Sequence, residues 1–405
     1  MELIITALFG LESLVREDLE TIGYNKQDIE VQDGLVILHV EKDQLPQAIA
    51  RTNIWVRRGE RVLLCVGRFG AKTFDEFFDG TVSIHWEDYI PETFAFHVNG
   101  YSRKSLLFGI PSCQRLGKKA IVRRLLEARG KTESDRLVED ESVGILKIQF
   151  GIVSDEVCMM IDTSGDGLHK RGYRPLLNVA PIKETLAAGM VSLSQYHPFE
   201  NEAIVDPFCG SGTIVIEAAM IALNIAPGLL RSFASEKWPF VGKSVFDEAR
   251  AEAALLRIER PKTDVYFFGS DIDGKAVETA IRNAKAAGVA DYVRFAVSDA
   301  FTQTPEALKK WTNLDRQLVL TNPPYGGRLM TPEDAFDLFR RIADTYLDEN
   351  GFCRKGIRLS VISPDDTFEK AAIRPADKRR KLYNGNIRCQ MNHYFKMARE
   401  IKNDV

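Results

Sequence analysis

Residues 202–222, EAIVDPFCGSGTIVIEAAMIA, constrain the fold of this chain more than any other segment. They read as a buried strand, a glycine turn and an apolar helix in direct succession. That is the repeating unit of a parallel α/β sheet, in which ligands sit outside the carboxyl ends of the strands. Asp206 closes the strand, and Gly210 and Gly212 let the backbone turn tightly and approach a ligand, since neither carries a Cβ. Phe208 lies inside the turn and Thr213 opens the helix. A dinucleotide fingerprint needs a third glycine, but Ile214 and Val215 follow instead, and no G-K-[ST] closes a P-loop. Alone, the turn could simply pack helix on strand.

Two further strand ends give it company. VYFFGSDID places Asp271 and Asp273 just past a second strand. A carboxylate there can accept both hydroxyls of a ribose; Asp273 is better placed to cap the helix that follows. A third strand, VRFAV, ends at Asp299, which could accept a hydrogen bond from an adenine amino group or cap the next helix. The fourth, QLVL, runs into TNPPYG at 321–326. An aryl amine is a poor nucleophile because its lone pair is delocalised into the ring. Two acceptors on its N–H groups can aim the developing lone pair, and the Asn322 side-chain oxygen and the Pro323 carbonyl can supply them. Pro323 and Pro324 hold the turn before reaction, and Tyr325 offers a face for an extruded base. No strong base is required, because the amine becomes acidic once methylated. The expectation is an S-adenosylmethionine-dependent amino methyltransferase with catalytic Asn322, Pro323, Pro324 and Tyr325.

At 405 residues the chain has room for two or three domains. The opening MELIITALFG lacks a cationic start and is too short an apolar run for a secretory signal. No stretch of about 18 apolar residues points to a membrane span. The six cysteines form no C-x-x-C pair, which argues against a zinc site or a disulfide scaffold and for a cytoplasmic location. No metal spacing is found among the histidines. Residues 1–60 alternate strand-like and helix-like segments in a β-α-β-α order, a ferredoxin-like unit. A mixed segment covers 61–165, with TFAFHVNG, a helix near 111–129, and ILKIQFGIV with EVCMMIDT as paired strands. SGDGLHKRGYRP opens a linker over 166–180, and a β/α series fills 181–405.

The chain resembles the THUMP-domain RNA guanine-N2 methyltransferases, and most closely the bacterial 23S rRNA branch that includes the N-terminal half of the large fused ribosomal enzyme. The resemblance runs over nearly the whole chain. It rests on DPFCGSGT and NPPYG, on HKRGYRPLLNVAPIKETLAAG at 169–189, on NIAPGLLRSFASEKW at 224–238, and on KRRKLYNGNIRCQMNHY at 378–394, which matches a C-terminal hairpin of that group. It implies a Rossmann-like methyltransferase domain preceded by ferredoxin-like and THUMP α+β modules. It also implies that the segment 180–184 folds over the methionine end of the cofactor, with Pro181, Lys183 and Glu184 as candidates. Guanine as the base and 23S rRNA, or a large-subunit assembly intermediate, as the substrate rest on the resemblance alone.

Charge supports RNA independently. Residues 99–131 hold Arg103, Lys104, Arg115, Lys118, Lys119, Arg123, Arg124, Arg129 and Lys131 against Glu127 alone, in a chain of net charge −3. Residues 370–388 hold a second run, including Arg379, Arg380 and Lys381, against Asp377. Two such runs point to a phosphate-binding surface. Phe108, within the first run, is either core or a stacking residue, and His169, Lys170, Arg171 and Arg174 touch RNA or cap a turn. Three readings stay open. The same NPPY turn serves adenine-N6 methylation, THUMP modules also occur in tRNA enzymes, and an RNA-binding ribosome-assembly factor would need no methyl transfer.

Overall fold

A computed structural model describes residues 1–132, 134–174, 182–263, 265–325 and 331–397. They divide into two compact units.

The first unit contains Met1–Ala7, Val15–Leu168 and Arg231–Glu252. Its strands are β1 (Glu2–Ala7), β2 (Ile29–Gln32), β3 (Leu35–His39), β4 (Gly59–Gly70), β5 (Phe94–Arg103), β6 (Asp140–Val153) and β7 (Glu156–Asp162). They form one seven-stranded sheet in the order β2-β3-β1-β4-β7-β6-β5. All neighbours are antiparallel except β5 and β6. The sequence drew a boundary at residue 60, but the sheet runs through it. The 12-residue β4 pairs with β1 on one side and β7 on the other. Period-two burial along β6 from Gly144 to Phe150 fits a strand with one face on a core. Two helices, Phe74–Val82 and Ile110–Ala128, pack on the same unit. The first starts at a capping box in which Thr73 and Glu76 each accept the other's backbone N–H.

Residues Arg231–Glu252, read from sequence as part of the 181–405 domain, belong to this first unit. Ser235 Oγ donates to the Thr163 carbonyl (3.0 Å), and Arg231 donates to the Gly167 carbonyl (2.6 Å). Phe233 stacks on Phe246 at 5.5 Å. These contacts join segments far apart in sequence, so local pattern alone cannot reveal them.

The second unit contains Leu8–Leu14, His169–Leu230 and Ala253–Val405. Its strands are β8 (Glu202–Asp206), β9 (Phe267–Asp271), β10 (Val293–Val297), β11 (Arg316–Thr321), β12 (Ile357–Pro364), β13 (Lys378–Asn384) and β14 (Ile387–Tyr394). The sheet order is β10-β9-β8-β11-β12-β14-β13. The first five strands are parallel, and the expected C-terminal hairpin, β13 and β14, adds an antiparallel edge. The chain moves outward from β8 through β9 to β10, then returns to β11 on the other side of β8. That reversal is the topological switch point at which such sheets bind ligands. β8 is buried throughout, as a strand covered on both faces must be. The expected Rossmann-like architecture is therefore present.

Candidate cofactor and catalytic site

The carboxyl ends of β8, β9 and β11 gather most of the candidate residues. Gly210 and Gly212 have φ of +51° and +81°, a region that only glycine enters without cost. A Cβ on Gly212 would lie 2.9 Å from the Ala280 Cβ, whereas one on Gly210 would meet open space. The turn thus presses on its own domain at one glycine and faces outward at the other. Cys209 is buried and its N–H donates to the Ser270 carbonyl at 2.8 Å. Phe208 packs edge-on against Phe301.

Asp271 fixes this turn to β9. Its Oδ2 accepts from the Gly210 N–H (2.9 Å) and its Oδ1 from the Asp273 N–H (3.0 Å), and the residue stays partly exposed. Each oxygen keeps a lone pair for a ligand hydroxyl. Asp273 caps the helix Gly274–Ala286 through the Lys275 N–H. Asp299 accepts from the Phe301 N–H at 3.0 Å, which uses one of its oxygens as a cap. Removing the Asp271 carboxylate, as in Asp271→Ala, is expected to weaken cofactor binding about 10–100-fold, the range for hydrogen bonds to a charged group. Calorimetric titration with S-adenosylhomocysteine measures it. Unchanged affinity would remove Asp271 from the ribose.

Asp206 is 2% exposed, and its Oδ1 accepts from the Thr321 hydroxyl (2.7 Å) and the Phe208 N–H (3.1 Å). Burial outweighs these bonds, with the Asp271 charge adding to it, and the carboxyl is pushed up to about 7. A folded state that holds a proton the unfolded chain releases loses stability as pH rises, here between about 4 and 7. Asp206→Asn keeps an oxygen for both donors and removes the buried charge. It should raise the melting temperature at pH 8, on the order of 5 °C, and change it little at pH 5. An equal change at both pH values would contradict this account.

Glu184 opens the helix Glu184–Leu193, with Lys183 at its N-cap, and is 1% exposed. Burial pushes its carboxyl up to about 7 against the pull of Arg174. Arg174 spans two elements, meeting Glu184 Oε1 at 2.8 Å and Thr213 Oγ1 at 3.2 Å. Glu184 therefore lies beside the start of the glycine-turn helix, and its Oε2 is buried with no hydrogen-bond partner among the described residues. Pro181 lies outside the described residues.

Asn322 leaves the end of β11 half-buried, and its Oδ1 is fully buried without a partner among the described residues. Pro323 is buried beside it and Pro324 partly so. Tyr325 is only 8% exposed. Its hydroxyl accepts from Asn384 Nδ2 (2.9 Å) and lies 3.5 Å from Cys389 Sγ. The ring expected to offer a stacking face is packed in the core, so it anchors the turn in this conformation. Two unpartnered buried acceptors, an outward-facing glycine and a carboxylate on the neighbouring strand suit an S-adenosyl group and an amine. When bound, S-adenosylmethionine supplies the methyl group.

Other expectations change. Arg171, read as an RNA contact or turn cap in a linker, is 2% exposed against the fully buried Glu217. Tyr173 Oη donates to the same carboxylate at 3.2 Å. Phe108, left open between core and stacking, is 80% exposed. The basic runs are partly consumed internally. Lys118 pairs with Glu139, Arg124 with Glu87, Arg123 with Glu127 and Arg379 with Glu369. Arg380 donates twice to the Gly10 carbonyl. Arg103, Lys104, Arg115, Lys119 and Lys381 make no ion pair among the described residues. Sequence reasoning passed over Ile272, 74% exposed beside Asp271. An apolar residue between two aspartates at a strand end was its signal, and it suits an adenine face.

No helix among the described residues is long and apolar enough to cross a membrane. Comparison with known proteins agrees with the architecture. The RlmL ferredoxin-like domain matches residues 2–63, the THUMP domain 71–162, and the RMKL-like methyltransferase domain 171–393. YpsC of Bacillus subtilis, provisionally named an RNA methyltransferase, is 39% identical over 98% of this chain and 96% of its own. The ribosomal RNA large subunit methyltransferase K/L of Shewanella baltica is 31% identical over 88% of this chain. This chain spans about half of that protein, 48% of its length. Two solved structures cover 98% of the chain with TM-score 0.84. One, 38% identical over 96% of its own chain, is a protein from Listeria monocytogenes described as a predicted N6-adenine-specific DNA methylase. The other, SMU.472, is 35% identical over 98% of its own chain and is a methyltransferase by description, in complex with S-adenosylhomocysteine. With its glycine turn, its acidic strand end and its NPPY turn in one sheet, and with a THUMP module preceding them in sequence, the chain belongs to the RMKL-like family of S-adenosylmethionine-dependent methyltransferases.

Proposed function

We propose that this RNA methyltransferase forms N2-methylguanosine in 23S rRNA. The observation that carries an amine substrate is the buried Asn322 Oδ1 at the end of β11, which has no hydrogen-bond partner among the described residues. A buried carbonyl oxygen without a donor costs free energy, of order 1–3 kcal/mol. An exocyclic N–H removes that cost as it docks. The Pro323 carbonyl follows it in the turn and offers the second acceptor. Together they orient the nitrogen toward the methyl group and let it lose its proton after transfer. The base must leave its helix to reach this turn.

The large ribosomal subunit as substrate is supported by the K/L relatives, whose name assigns them to large-subunit rRNA, while guanine as the base rests on the resemblance carried by the sequence motifs. Basic residues on the first unit that make no ion pair among the described residues, Arg103, Lys104, Arg115 and Lys119, support RNA. A ribosomal substrate supports a cytoplasmic location. The description of the Listeria protein favours adenine N6 as a second reading, which the same turn would serve.

The test is transfer of labelled methyl from S-adenosylmethionine to total RNA and ribosomal particles from cells lacking the gene, followed by mass analysis of nucleosides. N2-methylguanosine in 23S rRNA is the expected product. N6-methyladenosine, or label confined to tRNA, would replace the substrate, and no transfer with cofactor still bound would leave an assembly factor.

A further inference from the structure

Between β5 and the helix Ile110–Ala128, the first unit holds a short loop that places apolar side chains in water. Phe108 is 80% exposed and Leu106 65%, with Tyr101 at 40% on the preceding strand. Phe74 is 41% exposed, and its ring tip lies 3.4 Å from where a Cβ on Gly109 would stand, so it borders the same surface.

The loop is held firmly beneath these side chains. Ser102 Oγ donates to the Leu107 carbonyl (2.5 Å) and Ser105 Oγ to the Arg103 carbonyl (2.8 Å). The Leu106 N–H donates to Asp155 Oδ1 (2.7 Å), and the Asp155 N–H to Ser105 Oγ (3.0 Å). The Ile110 N–H closes back on the Phe108 carbonyl (2.9 Å). A loop tied by five hydrogen bonds does not expose Phe108 by loose packing. Exposed apolar residues held on a fixed frame mark a binding surface.

Charge selects the occupant. Arg103, Lys104, Arg115 and Lys119 are exposed near this surface in sequence and make no ion pair among the described residues. Asp155, the acid within the loop's bonding, accepts the Leu106 N–H through its Oδ1. Duplex RNA presents phosphates and a shallow minor groove and has no use for a protruding ring. Unpaired bases present flat faces that stack on aromatic side chains while cations track the backbone.

We propose that Phe108, supported by Leu106 and rimmed by Arg103, Lys104 and Arg115, is a stacking platform for an unpaired nucleotide of the RNA substrate. The proposal rests on the RNA reading above and adds that the first unit grips a single-stranded segment of the substrate.

The full-length protein and Phe108→Ala are titrated by fluorescence anisotropy against labelled oligouridine and against a blunt RNA hairpin at one salt concentration. Phe108→Ala should bind the single strand about tenfold more weakly, within the range for one stacked base, and the hairpin as before. Phe108→Trp should bind the single strand as the wild type does. Equal losses on both RNAs, or none on either, would overturn the platform alone. If the wild type bound neither RNA, the platform and the RNA reading would fall together. Preferential binding to anionic vesicles, lost in Phe108→Ala, would assign the surface to a membrane instead.

Discussion

Asn322→Ala is expected to lower the rate of methyl transfer about 100- to 1,000-fold while S-adenosylhomocysteine binds within a factor of about two of the wild type. The rate estimate follows what the loss of one preorganised polar contact at a reacting centre costs elsewhere. The asymmetry follows from position. Asn322 stands at the end of β11, whereas the groups suited to the cofactor stand at the ends of β8 and β9 and at the start of the helix Glu184–Leu193. Single-turnover transfer and calorimetry on the same preparation separate the two effects. Equal loss of both would show that Asn322 holds the cofactor or the fold of the turn rather than the amine. The free protein of Asn322→Ala should be no less stable, since its Oδ1 has no donor among the described residues to lose.

The second large effect is on stability. Arg171 and Glu217 are buried together, with Tyr173 donating to the same carboxylate. Burial keeps the Tyr173 phenol well above its usual range, so it remains a donor at any working pH. Arg171→Met would leave a buried carboxylate short of its cation and should cost about 3–5 kcal/mol. Arg171→Met with Glu217→Met removes both charges and should recover most of that loss, because the pair's attraction largely offsets its own desolvation. Urea denaturation monitored on the second unit measures both variants. A cost below about 1 kcal/mol for Arg171→Met would mean that water reaches Glu217.

Much of the second unit was legible because its signals are local. A five-residue apolar strand, two glycines at the required offsets and a polar-proline turn each lie within a dozen residues, and their order fixes a parallel sheet. The expected pairing of β6 with β7 was legible for the same reason. What escaped was non-local. Nothing in GERVLLCVGRFG states that both its edges will be paired, and β2 alternates apolar and polar residues over only four positions, three of them exposed, too short a signal to flag a strand. The polar spelling of HKRGYRP concealed a buried cluster, because Arg171 is apolar neither in type nor in context until Glu217 meets it. The basic run on the helix Ile110–Ala128 overstated the available charge, since Glu87 and Glu139, distant in sequence, neutralise part of it. Tyr325 was placed correctly in the turn, but whether its ring points outward depends on Asn384 and Cys389 from the terminal hairpin.

The strand β4 carries an evolutionary consequence. The ferredoxin-like and THUMP segments are recognisable separately, at 2–63 and 71–162, yet the seam between them is a strand hydrogen-bonded along both edges. A recombination event that inherited only one of the two modules would leave that strand with a bare edge, open to any other extended chain. The unit that can fold with its edges paired is therefore larger than the unit of sequence similarity. A lineage that dropped the first module would have had to redesign β4 with charges or proline in the same step.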